Sequence, residues 1–382
     1  MQNRKLNLCI ALGFITISMG HHSTFAAPIQ LDDSTTLEFD ANTQLVYYSN
    51  LFLTDPAITN KENETIWVLT PTASIEKGDD TSQLRFQGSL GFYHYEFLDN
   101  SEFSRTDPFI TLSGTINGDR LQATGTAIQQ DIILPSHGNR NAEGYSNTRL
   151  NTVSSYDLSA RSSIASDATF RKLDYDQNTR VDRSYYTLPI RFLYNISEDL
   201  KFGLGYRFRK NKFDGSVSNR NDTIWHLSLE GKLTQDIDLD FRIGHNQSDF
   251  RDPTFKDLET IYVSGDATWQ ITEDSRLTAN LSNRAGAFSN GQSVERLSFR
   301  TNYQWAITEK LNSSAGISFL NEDFQNSDRQ DKLKRIEAAL IYQPETQPYS
   351  GRLSLSYEDN DSNIFGLDYT NTILSTSFNY SF

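Results

Sequence analysis

The chain of 382 residues contains a single cysteine, Cys9, which lies in an apolar stretch near the amino terminus. The rest of the sequence therefore offers no disulfide framework, no thiolate metal site and no cysteine nucleophile. No segment approaches the ~18 consecutive apolar residues of a membrane-spanning helix. Basic residues are scarce as well, with 35 lysines and arginines against 49 aspartates and glutamates. This balance argues against nucleic acid as a partner, because no basic excess exists to replace phosphate counterions.

The amino terminus predicts a secretory signal peptide over residues 1–26. Arg4 and Lys5 provide the positive start, Leu8 to Met19 form a short apolar stretch, and Thr24-Phe25-Ala26 offers a small-residue cleavage site. The apolar stretch is too short for a retained anchor helix. Cleavage would remove two basic residues and leave 33 against 49 acidic ones, a net charge of −16.

Polarity and aromatic content together indicate a particular kind of membrane protein. Aromatic residues make up 12% of the chain, and the mean hydropathy is −0.55. A helical membrane protein cannot be this polar. A transmembrane β-barrel can, because only alternate residues of each strand meet lipid and the loops are hydrophilic.

The last nine residues alternate between two faces of an extended strand. One face carries Leu374, Thr376, Phe378, Tyr380 and Phe382, and the other carries only serine and asparagine. An aromatic row that runs to the last residue is typical of outer-membrane barrels. We therefore interpret Phe378, Tyr380 and Phe382 as a barrel-assembly signal.

A four-fold repeat predicts tight turns at a hairpin period. The four copies are Ile196-Ser-Glu-Asp-Leu200, Leu233-Thr-Gln-Asp-Ile237, Ile271-Thr-Glu-Asp-Ser275 and Ile307-Thr-Glu-Lys-Leu311. Their spacing of 36 to 38 residues fits a strand, a longer polar loop and a returning strand.

These patterns predict an all-β fold, a transmembrane antiparallel up-and-down β-barrel of about 18 strands. Residues 27–35 would form a periplasmic segment and residues 36–382 the single barrel domain. The predicted strands are 36–47, 64–76, 81–97, 106–116, 119–129, 152–164, 168–176, 184–196, 200–213, 222–234, 237–249, 258–272, 275–287, 293–308, 311–324, 332–343, 350–360 and 370–382. About 18 strands leave a lumen wide enough for water.

Alternation along the strands predicts which charged residues face the lumen. The candidates are Arg191, Arg207, Arg209, Arg242, Arg296, Arg300, Arg352, Glu230 and Lys232, with Asp240, Glu337 and Glu358 among them. Such charges either pair across neighbouring strands or sort solutes by charge, and the sequence leaves both roles open. Tyr93 and Tyr95 face inward as well, where they could stack on sugar rings.

No constellation for catalysis or metal binding accompanies these charges. Outside the predicted signal peptide the only histidines are His94, His137, His226 and His245, and none lies in a nucleophile motif. Alternation places His226 in the lumen and His94 and His245 on the lipid side. We expect no enzymatic activity, no metal site and no cofactor.

The longest predicted loops are 48–63 and 131–148. The second contains Pro135, Gly138 and Gly144. It either folds into the lumen as a constriction or stays exposed to solvent.

Two stretches carry a family resemblance. Tyr47-Tyr-Ser-Asn-Leu-Phe-Leu-Thr-Asp-Pro56 precedes Val68-Leu-Thr-Pro-Thr-Ala-Ser-Ile75, so a strand and an Asn-x-Phe loop lead into a strand with a central proline. Together with Leu173 to Arg209, they resemble the β-barrel porins found beside exopolysaccharide and capsule export systems. The resemblance implies a pore that passes a polysaccharide outward together with a periplasmic polysaccharide-export protein.

The first functional hypothesis is thus an outer-membrane pore for export of a surface polysaccharide. The alternatives are a general or anion-preferring uptake porin and a non-conducting structural or adhesive barrel. In each case we expect integral location in the outer membrane of a Gram-negative bacterium. The expected partners are outer-membrane lipid and lipopolysaccharide and the barrel-assembly machinery.

Overall fold

The fold is taken from a computed structural model. The structure describes residues 28–57, 61–79, 81–135, 142–176, 181–214, 219–252, 257–287, 292–325, 327–345 and 347–382. The predicted signal peptide lies outside the described residues.

Within these ranges the chain forms one antiparallel sheet of 19 strands, of which all but the first close into a barrel. Each strand pairs with the next along the chain, and the last pairs with the second to complete the ring. The strands are β1 Ile29–Asp32, β2 Thr35–Tyr48, β3 Glu64–Lys77, β4 Leu84–Phe97, β5 Arg105–Asn117, β6 Leu121–Pro135, β7 Ala142–Ser159, β8 Ser162–Tyr175, β9 Arg183–Asn195, β10 Leu200–Phe213, β11 Arg220–Thr234, β12 Ile237–Phe250, β13 Leu258–Thr272, β14 Ser275–Ala287, β15 Ser293–Thr308, β16 Leu311–Phe324, β17 Gln330–Tyr342, β18 Tyr349–Ser362 and β19 Tyr369–Ser381. The closed barrel of 18 strands confirms the predicted fold class.

Short turns lie at one rim of the barrel and longer loops at the other. The four repeated turn sequences connect β9 to β10, β11 to β12, β13 to β14 and β15 to β16, as their spacing predicts. Strand β2 begins and strand β19 ends at the short-turn rim. Because outer-membrane barrels place short turns in the periplasm, the long-loop rim is extracellular.

The outer surface of the barrel is apolar. On β9 the side chains of Leu188, Ile190 and Phe192 are about half exposed, because only lipid can cover them. Trp225, Trp269 and Trp305 also lie on this surface, where an indole ring suits the membrane interface. No helix in the described part of the chain is long and apolar enough to cross a membrane.

The region between β5 and β9 differs from the prediction. Strand β7 covers Ala142–Ser159, and the turn at 160–161 falls inside the predicted strand 152–164. Most of the predicted loop 131–148 is strand, since β6 continues to Pro135 and β7 begins at Ala142. Residues 136–141, which include His137 and Gly138, lie outside the described residues. Serine, threonine and asparagine occupy both faces of β7, so alternation could not define the strand.

A short additional strand precedes the barrel. β1 pairs with the start of β2 through Ile29 and Leu37, next to the carboxy-terminal residue of the chain. The backbone amide of that residue, Phe382, donates to the carbonyl of Phe39 at 2.7 Å. The predicted segment 27–35 therefore contains a strand.

Candidate functional site

The lumen holds an inward-folded loop at its extracellular end. This inner loop, residues 49–57 after β2, buries Leu51 and Phe52 to 1% exposure. They pack against Ile66 on β3 and Phe97 on β4 in the hydrophobic cluster of the barrel interior. Phe103, in the 3-10 turn Ser101–Phe103, meets the Phe52 ring edge-on at 5.9 Å. The inner loop therefore fills part of the lumen beside β2, β3 and β4.

Asn50 anchors the inner loop across the closing seam of the barrel. Its backbone amide donates to Oδ1 of Asn371 at 3.1 Å, and its Nδ2 donates to the carbonyl of Thr370 at 3.1 Å. The backbone amide of Ser49 donates to the carbonyl of Thr372 at 2.9 Å. All three acceptors belong to β19, so the loop extends the β19–β2 seam by side-chain and backbone bonds beyond its last paired residues.

Glu64 fixes the other end of the loop region. The side chain is fully buried at the first position of β3. Its carboxylate accepts hydrogen bonds from the amides of Thr65, Asp99 and Asn100 and from Nδ2 of Asn100, at 2.6 to 3.0 Å. Four donors for one carboxylate hold the start of β3 and the β4–β5 loop together, and Phe103 of that loop packs against Phe52 of the inner loop.

Replacement of Glu64 by alanine is expected to loosen both loops. It would leave several buried donors without an acceptor, at a cost of roughly 3 kcal/mol. Glu102→Ala is the matched control, because Glu102 is exposed in the adjacent 3-10 turn. Limited proteolysis of the folded barrel should show faster cleavage near residue 50 in Glu64→Ala alone. Equal cleavage rates in the two variants would contradict the assigned role.

Two of the predicted lumen arginines belong to an ion-pair network on β8, β9, β11 and β12. Arg191 lies 2.6 Å from Asp167 and 3.2 Å from Glu230. Arg242 lies 2.7 Å from Asp240 and contacts Glu230 more distantly, at 3.8 Å. Because each cation has acidic partners in this network, its charge is largely neutralised.

Arg207 and Arg209 differ from this network, although they lie on the neighbouring strand β10. Among the described residues neither forms an ion pair with a carboxylate. The Arg207 guanidinium lies over the Tyr262 ring at 4.8 Å, and that of Arg209 lies 5.3 Å from the Tyr185 ring. Arg209 Nε also donates to Thr187 at 3.0 Å. Rings and a hydroxyl position these two cations without cancelling their charge.

Asp222, the acid near Arg207, is already paired with other residues. Asp222 exerts an electrostatic attraction on Arg207. However, Arg220 lies 2.7 Å from the Asp222 carboxylate, and Asn211 Nδ2 donates to it at 2.8 Å. The free positive charge near Arg207 is reinforced by Arg209 and by Arg284 on β14.

Arg207 and Arg209 line a cavity of about 210 Å³, here called the arginine cavity. Five arginines contribute to its described lining, against the single carboxylate of Asp167. His226 lies at its wall, where neither ring nitrogen has a hydrogen-bond partner among the described residues. The ring fits because Gly205 has no side chain, since a Cβ there would overlap the imidazole. The cavity is an electropositive part of the lumen.

A second cavity of about 700 Å³ lies on the opposite side, beside β2, β3, β4, β17, β18 and β19. We call it the tyrosine cavity, because Tyr48, Tyr93 and Tyr95 line it together with Val46 and Val68. Arg352 also lines it and has no ion pair in the described part of the chain. The cavity thus combines aromatic faces with one uncompensated cation.

The remaining predicted lumen residues mostly form ion pairs, and of these Glu337 also lines the tyrosine cavity. Arg296 pairs with Glu322, and Arg300 lies 3.7 Å from Glu337. Glu337 and Glu358 both contact Arg335, at 3.4 and 3.1 Å. Lys232 is exposed near the short-turn rim, away from both cavities. The aromatic residues Phe378 and Phe382 lie on the outer surface of β19, with Tyr380 between them and in contact with Phe382.

Several site residues were not predicted. The alternation of β14 could have predicted that Arg284 faces the lumen. In the structure it lies opposite Arg296 of β15 in the register. Arg149 lies on β7, whose predicted bounds were wrong. The sequence signal for the inner loop is the apolar run Leu51-Phe52-Leu53 within a predicted loop. Leu53 has a φ of 49°, a left-handed conformation that is uncommon for a residue with a side chain.

The two histidines predicted on the lipid side have aromatic neighbours. His94 meets Trp67 edge-on at 6.1 Å, and Trp67 is exposed on the outer surface. His245 lies opposite Trp225 in the β11–β12 register. Neither contributes to the lumen cavities.

A closed barrel with an apolar exterior and a charged, partly constricted lumen is an integral β-barrel of the Gram-negative outer membrane. Comparison with known families agrees with this class. Residues 231–381 match the family described as "Putative beta-barrel porin 2". No curated protein matches the chain in sequence.

Solved outer-membrane structures share the fold at low sequence identity. OpdK of Pseudomonas aeruginosa with vanillate is 10% identical, with a TM-score of 0.50, over 91% of this chain and 99% of that one. OccK2 (OpdF) of the same organism in complex with glucuronate is 11% identical, with a TM-score of 0.52, over 91% and 98%. OpdL of P. aeruginosa is 8% identical, with a TM-score of 0.51 over the same shares. The chain is therefore similar to porins, a class of proteins that are not enzymes. None of these similar structures is described as a polysaccharide exporter.

Proposed function

We propose that this protein is an anion-preferring uptake porin for small carboxylates. The observation that carries the proposal is that no described residue is an acidic partner of Arg207 or Arg209, in a lumen where neighbouring arginines are paired. In an acidic chain of net charge −14, these two uncompensated cations lie together at the arginine cavity. Fixed cations in a water-filled pore raise the local concentration of anions.

The inner loop supports small solutes over a polymer. Its apolar core and its hydrogen bonds to β19 hold it inside the barrel. A polysaccharide chain would have to pass this obstruction. The predicted export function therefore has weaker support than the predicted uptake alternative.

The solutes named with two similar structures fit the same chemistry. Vanillate and glucuronate, named with OpdK and OccK2, each carry a carboxylate on a ring. In this protein the carboxylate would meet the unpaired guanidinium groups, which bind it through charge-assisted hydrogen bonds. The ring would find aromatic faces in Tyr185 and Tyr262, which line the same cavity.

Liposome swelling tests the proposal. Vesicles containing the folded protein should swell faster in glucuronate than in glucose, a neutral sugar of similar size, because only the acid is attracted to the arginine cavity. The expected ratio of the rates is roughly threefold or more at low salt. Equal rates, or faster swelling in glucose, would refute the proposed preference. Unchanged surface polysaccharide after deletion of the gene would further separate uptake from export.

A further inference from the structure

A groove on the outer surface of the barrel carries an unusual group of cations. This lysine groove has a volume of about 540 Å³ and is lined by Lys210 and Lys212 of β10, Asn221 of β11, and Asp249 and Arg251 at the end of β12. Lys210 pairs in register with Tyr186, whose side chain is half exposed on the lipid-facing surface. The alternation of β10 therefore directs both lysines outward, away from the lumen.

The cations of the lysine groove are not neutralised by the part of the protein that the structure describes. Among the described residues, Lys210, Lys212 and Arg251 form no ion pair. The Lys212 ammonium lies 5.8 Å from the Tyr186 ring centroid. Asp249 is the one acid in the lining, and it accepts a hydrogen bond from Gln247 at 2.8 Å. Three cations against one carboxylate leave a net positive groove on an acidic protein.

The height of the groove relative to the membrane indicates what covers it. The rings of Tyr206 and Trp225 contact each other on the outer surface, with centroids 4.5 Å apart, and Trp225 is 60% exposed, as expected for an interfacial aromatic row. Lys210 lies four residues beyond Tyr206 toward the extracellular rim, ~13 Å along the strand and ~10 Å along the axis of a tilted barrel. That is the level of lipid headgroups above an aromatic row.

We propose that the lysine groove binds a phosphate group of the outer-leaflet glycolipid, lipopolysaccharide. Phosphate oxygens accept charge-assisted hydrogen bonds from ammonium and guanidinium groups, and Asn219 and Asn221 in the groove are further polar residues of its lining. The site faces lipid and does not depend on what passes through the lumen.

A binding measurement with a matched control tests the site. The purified, detergent-folded protein is titrated with bisphosphorylated lipid A and with the same lipid after removal of its phosphates. The double variant Lys210→Glu/Lys212→Glu should bind the phosphorylated lipid roughly tenfold more weakly. Each basic residue near an anionic lipid surface adds to the binding affinity, and the variant replaces two of them with acids. The wild type should bind the dephosphorylated lipid comparably weakly.

The control is Lys332→Glu/Lys334→Glu on β17. These lysines are also exposed toward the extracellular end of their strand, but they lie opposite Asp361 and Asp359 of β18 in the register. Lipid affinity should change less than twofold in this control. If the control loses as much affinity as the β10 variant, or if the phosphates do not matter, the site is refuted. Lys210→Gln/Lys212→Gln provides a milder variant, and heat-modifiable electrophoretic mobility verifies that each barrel is folded.

Discussion

Replacement of Arg207 and Arg209 by glutamate is expected to invert the ion selectivity of the pore. The wild type should pass chloride in preference to potassium, and the double variant should prefer potassium. The substitution changes the charge at the arginine cavity by four units, where no described carboxylate compensates either arginine. The measurement is the reversal potential of the channel in a planar bilayer under a potassium chloride gradient.

Coulomb's law sets the size of this effect. A unit charge ~8 Å from a passing ion contributes ~0.5 kcal/mol in water, so four units change the energy of each ion by up to ~2 kcal/mol. The change has opposite signs for chloride and potassium, so their relative energy changes by up to ~4 kcal/mol before screening. Screening at 0.1 M salt, where the Debye length is ~10 Å, removes part of this. We therefore expect the permeability ratio to change roughly 10-fold at 0.1 M salt and much less at 1 M salt, where the Debye length is ~3 Å.

Lys210→Glu/Lys212→Glu is the control for position. It changes the charge of β10 by the same amount, but on the lipid-facing surface. Its reversal potential should stay close to that of the wild type. If this control shifts selectivity as strongly as the substitution of the two arginines, overall charge rather than the arginine cavity determines selectivity.

Removal of the apolar core of the inner loop is expected to widen the pore. In Leu51→Ala/Phe52→Ala, two fully buried side chains are truncated. Each truncation costs ~2–5 kcal/mol, whereas the three hydrogen bonds to β19 contribute ~1 kcal/mol each. The packing energy lost in the double variant therefore exceeds the stabilisation that the remaining hydrogen bonds provide. Single-channel conductance should rise roughly twofold or more as the lumen opens.

Phe365→Ala is the matched control for the loop. Phe365 lies in the β18–β19 loop at the same rim, but its side chain is 83% exposed. Its removal should leave conductance unchanged. Unchanged conductance in Leu51→Ala/Phe52→Ala, with the barrel folded, would mean that the inner loop does not limit the passage.

The sequence predicted the scaffold well because the barrel follows local rules. A period of two separates lipid from lumen, and the repeated turn sequence marks the hairpins. Where neither signal exists, the prediction failed. The β7–β8 turn, Ser159-Ala-Arg-Ser162, lacks the repeated motif, and β7 is polar on both faces.

The chemistry of the site depends on register, which local patterns do not contain. Arg191 and Arg207 have the same inward alternation, yet Asp167 and Glu230 reach only Arg191. Which arginine is paired depends on which residues of β8, β11 and β12 the register places beside it. For the same reason the sequence could not separate structural pairing from solute selection. The inward fold of the inner loop depends on Asn371 of β19, which contacts the loop only once the barrel has closed.

The most direct test of the account is the reversal potential of the wild-type channel at 0.1 M salt. Uncompensated arginines in the lumen predict a chloride-selective pore whose selectivity declines as salt is raised. A channel that prefers potassium, or one that is equally unselective at low and high salt, would contradict the proposed role of Arg207 and Arg209.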